Sequence, residues 1–295
     1  MSNLFLAKKA AAGGGGTEVY LNGVKQNVSR CNIDDLSWVS VSTLPYALRN
    51  CSAVVRNNEI HILGGDNNTT NHYKWNGTSW VSVSTLPFNI NKNYLAVVLN
   101  NEIHILSEFK HYKWGGSSWT SVSTLPRQWV DFAVVLNNEI HMLYGSSSTY
   151  RYHYKWNGSS WVSVSTVPYN ITYGAAVVLN NEIHILGGDS EYTNHYKWNG
   201  TSWVSVSTLP YEFRSGSAVV RNNEIHIIGS SRGGSKQHYK WDGSSWTSVT
   251  TLPYSFSSGV AEVLNNEIHI LGNAFIAYNQ NHYKNNLNFA YELIP

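Results

Sequence analysis

Residues Ala53-Val54-Val55-Arg56-Asn57-Asn58-Glu59-Ile60-His61-Ile62-Leu63 read as one β-hairpin, and that hairpin returns along most of the chain. A short apolar run meets Asn-Asn, a pair that tolerates positive φ at both central positions of a two-residue turn. A second run, Glu-Ile-His-Ile-Leu, then leads back. Asn-Asn-Glu-Ile-His occurs six times, with its histidines at 61, 104, 141, 184, 226 and 269. The copies are spaced by 43, 37, 43, 42 and 43 residues, which marks one supersecondary unit repeated with a period near ~40 residues.

Two further motifs keep step with the first. His-Tyr-Lys follows each hairpin, at His72, His111, His153, His195, His238 and His282, so the two motifs account for all twelve histidines. Ser-Trp-(Val/Thr)-Ser-Val-(Ser/Thr)-Thr-(Leu/Val)-Pro carries Trp38, Trp80, Trp119, Trp161, Trp203 and Trp246. Each unit therefore reads as four short strands, here A to D: residues 53–56, 59–63, 72–75 and 80–85 in the first copy. The C-D link centres on Asn76-Gly77, another two-residue hairpin signal. Four antiparallel strands per unit make a blade, and six units predict an all-β, six-bladed β-propeller.

The details resemble the kelch family. A Gly-Gly pair ends strand B in Gly64-Gly65 and Gly187-Gly188, and Tyr73 precedes Trp80 by seven positions, as in kelch repeats. The resemblance covers roughly residues 37 to 285. It departs at Ser107-Glu108, Tyr144-Gly145, Gly229-Ser230 and Gly272-Asn273, where the glycine pair is degraded. The Gly-His and Trp-Asp signatures of WD-type repeats are absent.

Counting strands predicts how the ring closes. Six A-B hairpins and six C strands need six D strands, yet the last copy runs into Asn285-Asn286-Leu287-Asn288-Phe289 without a Trp. The missing strand stands ahead of the first hairpin, at residues 37–43. Pairing it with residues 282–284 ties the chain's ends together and leaves no open edge. The expected organisation is a flexible tether over 1–16, containing Gly13 to Gly16, an N-terminal arm or extra strand over 17–36, and the propeller over 37–295.

Composition excludes several partners. Charged residues are 13% of the 295 and the formal net charge is +2, so nucleic acid and anionic membrane are not expected to bind. No apolar stretch approaches the ~18 residues of a membrane span. The apolar run Leu4 to Ala7 is too short for a secretory signal, and its lysines follow it, so cytoplasmic synthesis of a soluble protein is expected. Cys31 and Cys51 form no CxxC pair and read as incidental thiols, with a single bridge the alternative.

Comparing the copies with one another assigns a functional face. A-B and C-D turns fall at one end of the strands and are nearly identical in every unit. B-C and D-A loops fall at the other end and vary. The B-C loops run to 8, 4, 9, 8, 9 and 10 residues, and loops on a rigid scaffold are the usual place for specificity. The aromatic after Pro recurs at Tyr46, Phe88, Tyr169, Tyr211 and Tyr254 and reads as packing. Loop residues outside the repeat are the binding candidates: Arg49, Trp129, Asp131, Tyr150, Tyr173 and Arg214, Trp and Arg being enriched at interface hot spots.

A charged group in strand A is a further candidate: Glu262 stands where other units have Val, and Arg56 and Arg221 where others have Leu. Shared strand parity suggests either a compensated cluster beside the central channel or an anion-binding or acid/base site. The histidines do not suggest a metal, because equivalents on neighbouring blades lie on the order of 10 Å apart, against zinc bonds of about 2 Å. No nucleophile elbow and no phosphate loop occur, and no cofactor is implied. The reading is a non-enzymatic module that binds a protein or glycan through its variable face. The alternatives are an appendage of a larger particle such as a virion, with residues 1–36 held by an assembly partner, and an enzyme resembling the kelch-type sialic acid mutarotases, working at Glu262 and the arginines.

Overall fold

The computed structural model describes residues 7–9, 18–21, 24–26, 28–32, 37–48, 51–65, 70–89, 94–232, 236–272, 280–285 and 289–293. Among them all helical and sheet structure is strand. Two compact units form, Trp38–Asn285 and a second drawn from Met1–Ser37 with Asn286–Pro295. The first is a six-bladed β-propeller of four-stranded antiparallel sheets, each ordered A-B-C-D from the inside outward. Blade 1 comprises Ser52–Arg56, Glu59–Leu63, Asn71–Trp75 and Trp80–Thr85. The inner strands of blades 2 to 6 are Tyr94–Leu99, Phe132–Leu136, Ala175–Leu179, Ser217–Arg221 and Val260–Leu264.

Closure follows the strand count. Trp38–Thr43 is the outer strand of blade 6, with Thr43 opposite Asn281, Ser42 opposite His282 and Trp38 opposite Asn285. The blade pattern stops at Asn285, short of the boundary at 295 expected from the sequence. Phe289–Leu293 pairs instead with Val28–Asn32, and Glu18–Leu21 lies between Ala7–Lys9 and Val24–Gln26 in a separate three-stranded sheet.

The turns obey their sequence. All six Asn-Asn pairs have positive φ at both residues, for example 51° and 60° at Asn57 and Asn58, the geometry of a type I′ hairpin. The kelch-like glycine has a steric cause: Gly187 sits at φ +61°, and a Cβ there would lie 2.2 Å from the carbonyl oxygen of Phe213 in the loop leading to the next blade.

Strand B is buried on both faces, which is why it reads as an unbroken Glu-Ile-His-Ile-Leu rather than an alternation. Ile60 and Ile62 pack toward blade 6 with Leu264 and Leu271, while Leu63 packs toward blade 2 with Ile103, Ile105 and Trp114. Burying each such side chain stabilises by roughly 1.5–3 kcal/mol. The Lys of His-Tyr-Lys pairs with the Glu of strand B in every blade, as in Lys74 with Glu59 at 2.9 Å. These part-exposed pairs contribute about 0–1 kcal/mol each.

The histidines join strand to strand and blade to blade. His61 Nδ1 lies 2.8 Å from His72 Nε2, and His72 Nδ1 lies 2.9 Å from Ser84 Oγ. Trp119 Nε1 of blade 2 donates to the same Ser84 hydroxyl at 3.2 Å. A β-bulge between His72 and Tyr73 brings His72 opposite Ser84. With both rings neutral, one proton arrangement runs through the row, indole to hydroxyl, hydroxyl to His72 and His72 to His61, and it ends at a His61 Nε2–H that is buried without a hydrogen bond. The row recurs through Ser123, Ser165, Ser207 and Ser42. Blade 5 departs, with Thr250 at the serine position and an outer strand cut to Trp246–Ser248. There His238 Nδ1 and Trp38 Nε1 are both buried without a hydrogen bond. Ser84→Ala is expected to remove both of its bonds at once and to lower stability by about 1–3 kcal/mol. Urea denaturation checks this, and an unchanged or higher midpoint refutes it.

Burial holds these rings neutral, lowering strand-B histidines such as His61 to about 4 and strand-C histidines such as His72 to about 3. Eleven histidines are depressed in this way. The unfolded chain therefore binds more protons below its histidine pKa of ~6.5, so stability is fully present above that pH and falls as pH drops toward 4. Each ring contributes about 1.4 kcal/mol of loss per pH unit, on the order of 10 kcal/mol in total one unit below 6.5. That rivals the ~5–15 kcal/mol stability of a whole domain. The melting temperature is expected to be flat from pH 8 to 7 and to collapse between pH 6 and 5; a protein still fully stable at pH 5 would contradict this account.

Candidate functional site

One face of the propeller is uniform. Its A-B turns are the six Asn-Asn pairs, and the C-D turns of blades 1, 3, 4 and 5 repeat one arrangement, in which the side-chain oxygen of Asn76, Asn157, Asn199 or Asp242 accepts from two backbone N–H groups, as Asn76 Oδ1 does from Thr78 and Ser79; blade 2 has Gly115-Gly116 there. The B-C and D-A loops, on the opposite face, carry all four aromatic side chains that are strongly exposed among the described residues. These are Phe109, Trp129, Tyr150 and Tyr173, 44–56% exposed. They come from blades 2 and 3 and from the loops leading into blades 3 and 4, so they occupy one sector of the ring.

Tyr173 is the best defined of them. It holds φ +66°, unusual for a bulky residue and typical of positions where the surroundings dictate the backbone. Its carbonyl accepts from Ser215 N–H at 2.6 Å, and the Ser215 carbonyl accepts from Ser258 N–H at 2.7 Å, which stitches three successive D-A loops together. The Arg214 guanidinium lies 4.2 Å from the Tyr173 ring centroid and pairs with Asp189 at 2.9 Å. An aromatic face, a cation and a carboxylate are thus held together beside an open surface.

The remaining loop candidates divide. Asp131 is enclosed, its Oδ2 accepting from Gly145 N–H at 2.8 Å and from Thr172 Oγ1 at 3.3 Å, and burial pushes its carboxyl up to about 6. It ties two loops of blade 3 to each other and supports the face from beneath. Tyr150 tips the B-C loop of blade 3. Arg49 lies outside the described residues. The recurrent aromatics after Pro pack against strand-C tyrosines, as Tyr46 does on Tyr73 at 5.8 Å, and Tyr46 also donates to the Gly64 carbonyl. In the one loop that lacks this aromatic, Arg127 takes its place, 4.5 Å from the Tyr152 ring. Phe109 was not among the sequence candidates. Its signal was the shortest B-C loop, where Glu108 and Phe109 form a positive-φ turn that leaves the ring 47% exposed.

The inner strands enclose an axial cavity of ≈ 390 Å³, walled by their alanines and valines and by Glu262. Val54, Val97, Val134, Val177 and Val219 take the position of Glu262 in the other blades. Protein surrounds Glu262, and part of its surface is left against the cavity; it has no hydrogen bond or ion pair among the described residues. Desolvation raises its carboxyl to about 8. The arginines expected beside it are elsewhere. Arg56 turns into the seam with blade 2, where Nε and Nη2 donate to the Asn101 and Gly115 carbonyls at 2.6 and 2.8 Å and the guanidinium covers Trp114. Arg221 enters the seam with blade 6, with Nη1 3.4 Å from Asn285 Oδ1. No group of residues able to hold a metal occurs among the described residues.

No family model matches the chain, and no curated protein matches it. Solved structures do. One, described as the structure of YjhT, superposes with a TM-score of 0.69 at 12% identity, over 85% of this chain and 96% of that one. The likeness is one of fold.

Restoring the valine ring tests the energetics of Glu262. Its folded pKa lies above the unfolded value of 4.5, so the stability of the neutral form is fully present below 4.5 and is lost as pH rises through about 8. Glu262→Val is expected to be more stable than the parent, with the advantage growing by about 1.4 kcal/mol per pH unit across that window. Melting curves at pH 6.5 and pH 9, both above the histidine-driven collapse, check this, and an equal difference at both refutes it.

Proposed function

We propose that this chain is a kelch-type propeller acting as a non-enzymatic binding module, which takes a glycan or protein ligand on its B-C/D-A face. One observation carries the reading: among the described residues, the strongly exposed aromatics gather on the face that varies between copies and are lacking on the face that does not. A rigid ring presenting Trp129, Tyr150 and Tyr173 beside the Arg214–Asp189 pair has the composition of an interface hot spot, with large apolar area, a cation and little side-chain entropy to lose. Residues 1–36 serve, in the same reading, to hold a larger assembly. An enzyme of the sialic acid mutarotase kind ranks second, because the arginines such chemistry would draw to Glu262 turn into other seams.

A glycan array, followed by affinity capture of protein ligands and a turnover assay on any hit, tests the reading. Trp129→Ala and Tyr173→Ala are expected to lower affinity at least about tenfold, while Val162→Ala on the outer edge leaves it unchanged. Folded Trp129→Ala and Tyr173→Ala proteins with parental affinity would overturn the proposal, and turnover of a bound sugar would move the function to the enzyme reading.

A further inference from the structure

The loop face does not account for Glu262. Five blades place valine at its position, and the cavity they line offers a carboxylate no cation. Arg56 and Arg221 are turned into seams, and the Lys of each blade is paired with the Glu of strand B. The nearest titratable group in the ladder is His269, opposite Glu262, which burial keeps neutral. The other inner strands contribute only alanine and valine to the wall. A carboxyl group so placed is costly to ionise and gains most from a cation that brings its own apolar surface.

We propose that the axial cavity binds a small primary ammonium ion with a short apolar tail, and that Glu262 is its counter-ion. The ammonium supplies the missing charge beside the carboxylate, and the tail displaces water from valine and alanine methyl groups. A divalent metal is a poor match, since calcium takes ~6–8 oxygen ligands and the wall offers a single acidic side chain. An anion finds no cation among the described residues of the wall. A bare monovalent cation leaves the apolar wall unused. The site is independent of the loop-face reading, because none of its residues belongs to those loops.

The experiment is calorimetric titration of the full chain at pH 7 with n-butylammonium chloride, using n-butanol, sodium butyrate and sodium chloride as comparators. The parent is expected to bind butylammonium with an affinity of about 1 mM. Binding should release close to one proton, because the cation forces the protonated Glu262 to ionise; repeating the titration in two buffers of different ionisation enthalpy measures it. Glu262→Gln and Glu262→Val should each weaken binding at least tenfold, and Glu262→Val, which restores the valine ring, guards against a folding defect in the other variant. Trp129→Ala and Tyr173→Ala should bind the amine as the parent does, so that failure of the loop-face reading leaves this test intact. No butylammonium binding, equal affinity in Glu262→Val, or butanol binding as tightly as the amine would each overturn the proposal.

Discussion

A neutral histidine buried between two sheets needs partners for the ring nitrogens that water no longer reaches, and around His72 the row of partners spans three strands of its own blade and reaches into the next. His72 is held by His61 on one side and Ser84 on the other, and Ser84 is held in turn by Trp119 of the next blade. The apolar packing of Ile, Leu and Trp supplies most of the burial but is non-directional. The histidine row is directional and fixes how far one blade slides along its neighbour. It is also a source of vulnerability, since a proton on either ring removes an acceptor inside a low-dielectric seam.

Much of the architecture was legible in the sequence because a copied unit reports its own boundaries. Asn57-Asn58 marks a hairpin in every copy, and the surplus Trp38 at the start answers the Trp missing after His282. The histidine row was not legible. Equivalent histidines on neighbouring blades stand about 10 Å apart, whereas the contact lies within a blade, between His61 and His72, and its continuation to Ser84 depends on a bulge that shifts the register by one residue. Periodicity does not reveal a bulge.

The charged residues of strand A teach a different lesson. Arg56, Arg221 and Glu262 share strand parity, which in a flat sheet places side chains on one surface. In a closed ring, equal parity sends each side chain toward its own next blade. Arg56 therefore reaches blade 2 and Arg221 reaches blade 6, neither toward Glu262, which among the described residues is the one charged residue in the cavity wall. On the loop face, Trp129, Tyr150 and Tyr173 stood out as departures from the repeat and are exposed. Asp131 stood out equally and is enclosed, because composition alone does not separate a group that supports a loop from one that meets a ligand.

The strand Trp38–Thr43 has a consequence in time as well as in space. It is made before any blade exists, and its ladder partner, Asn281–Asn285, is made after every other blade strand. Every other outer strand follows its partner within a few residues, while this one waits through some 240 residues of synthesis. Five blades can form hairpin by hairpin as the chain emerges, but the circle cannot shut until the end, and loop closure over so long a stretch is the slow, entropically costly step. During that interval blade 6 and the loose strand are both unpaired edges. The order in which the chain is made therefore sets when it is most exposed to pairing with another copy of itself.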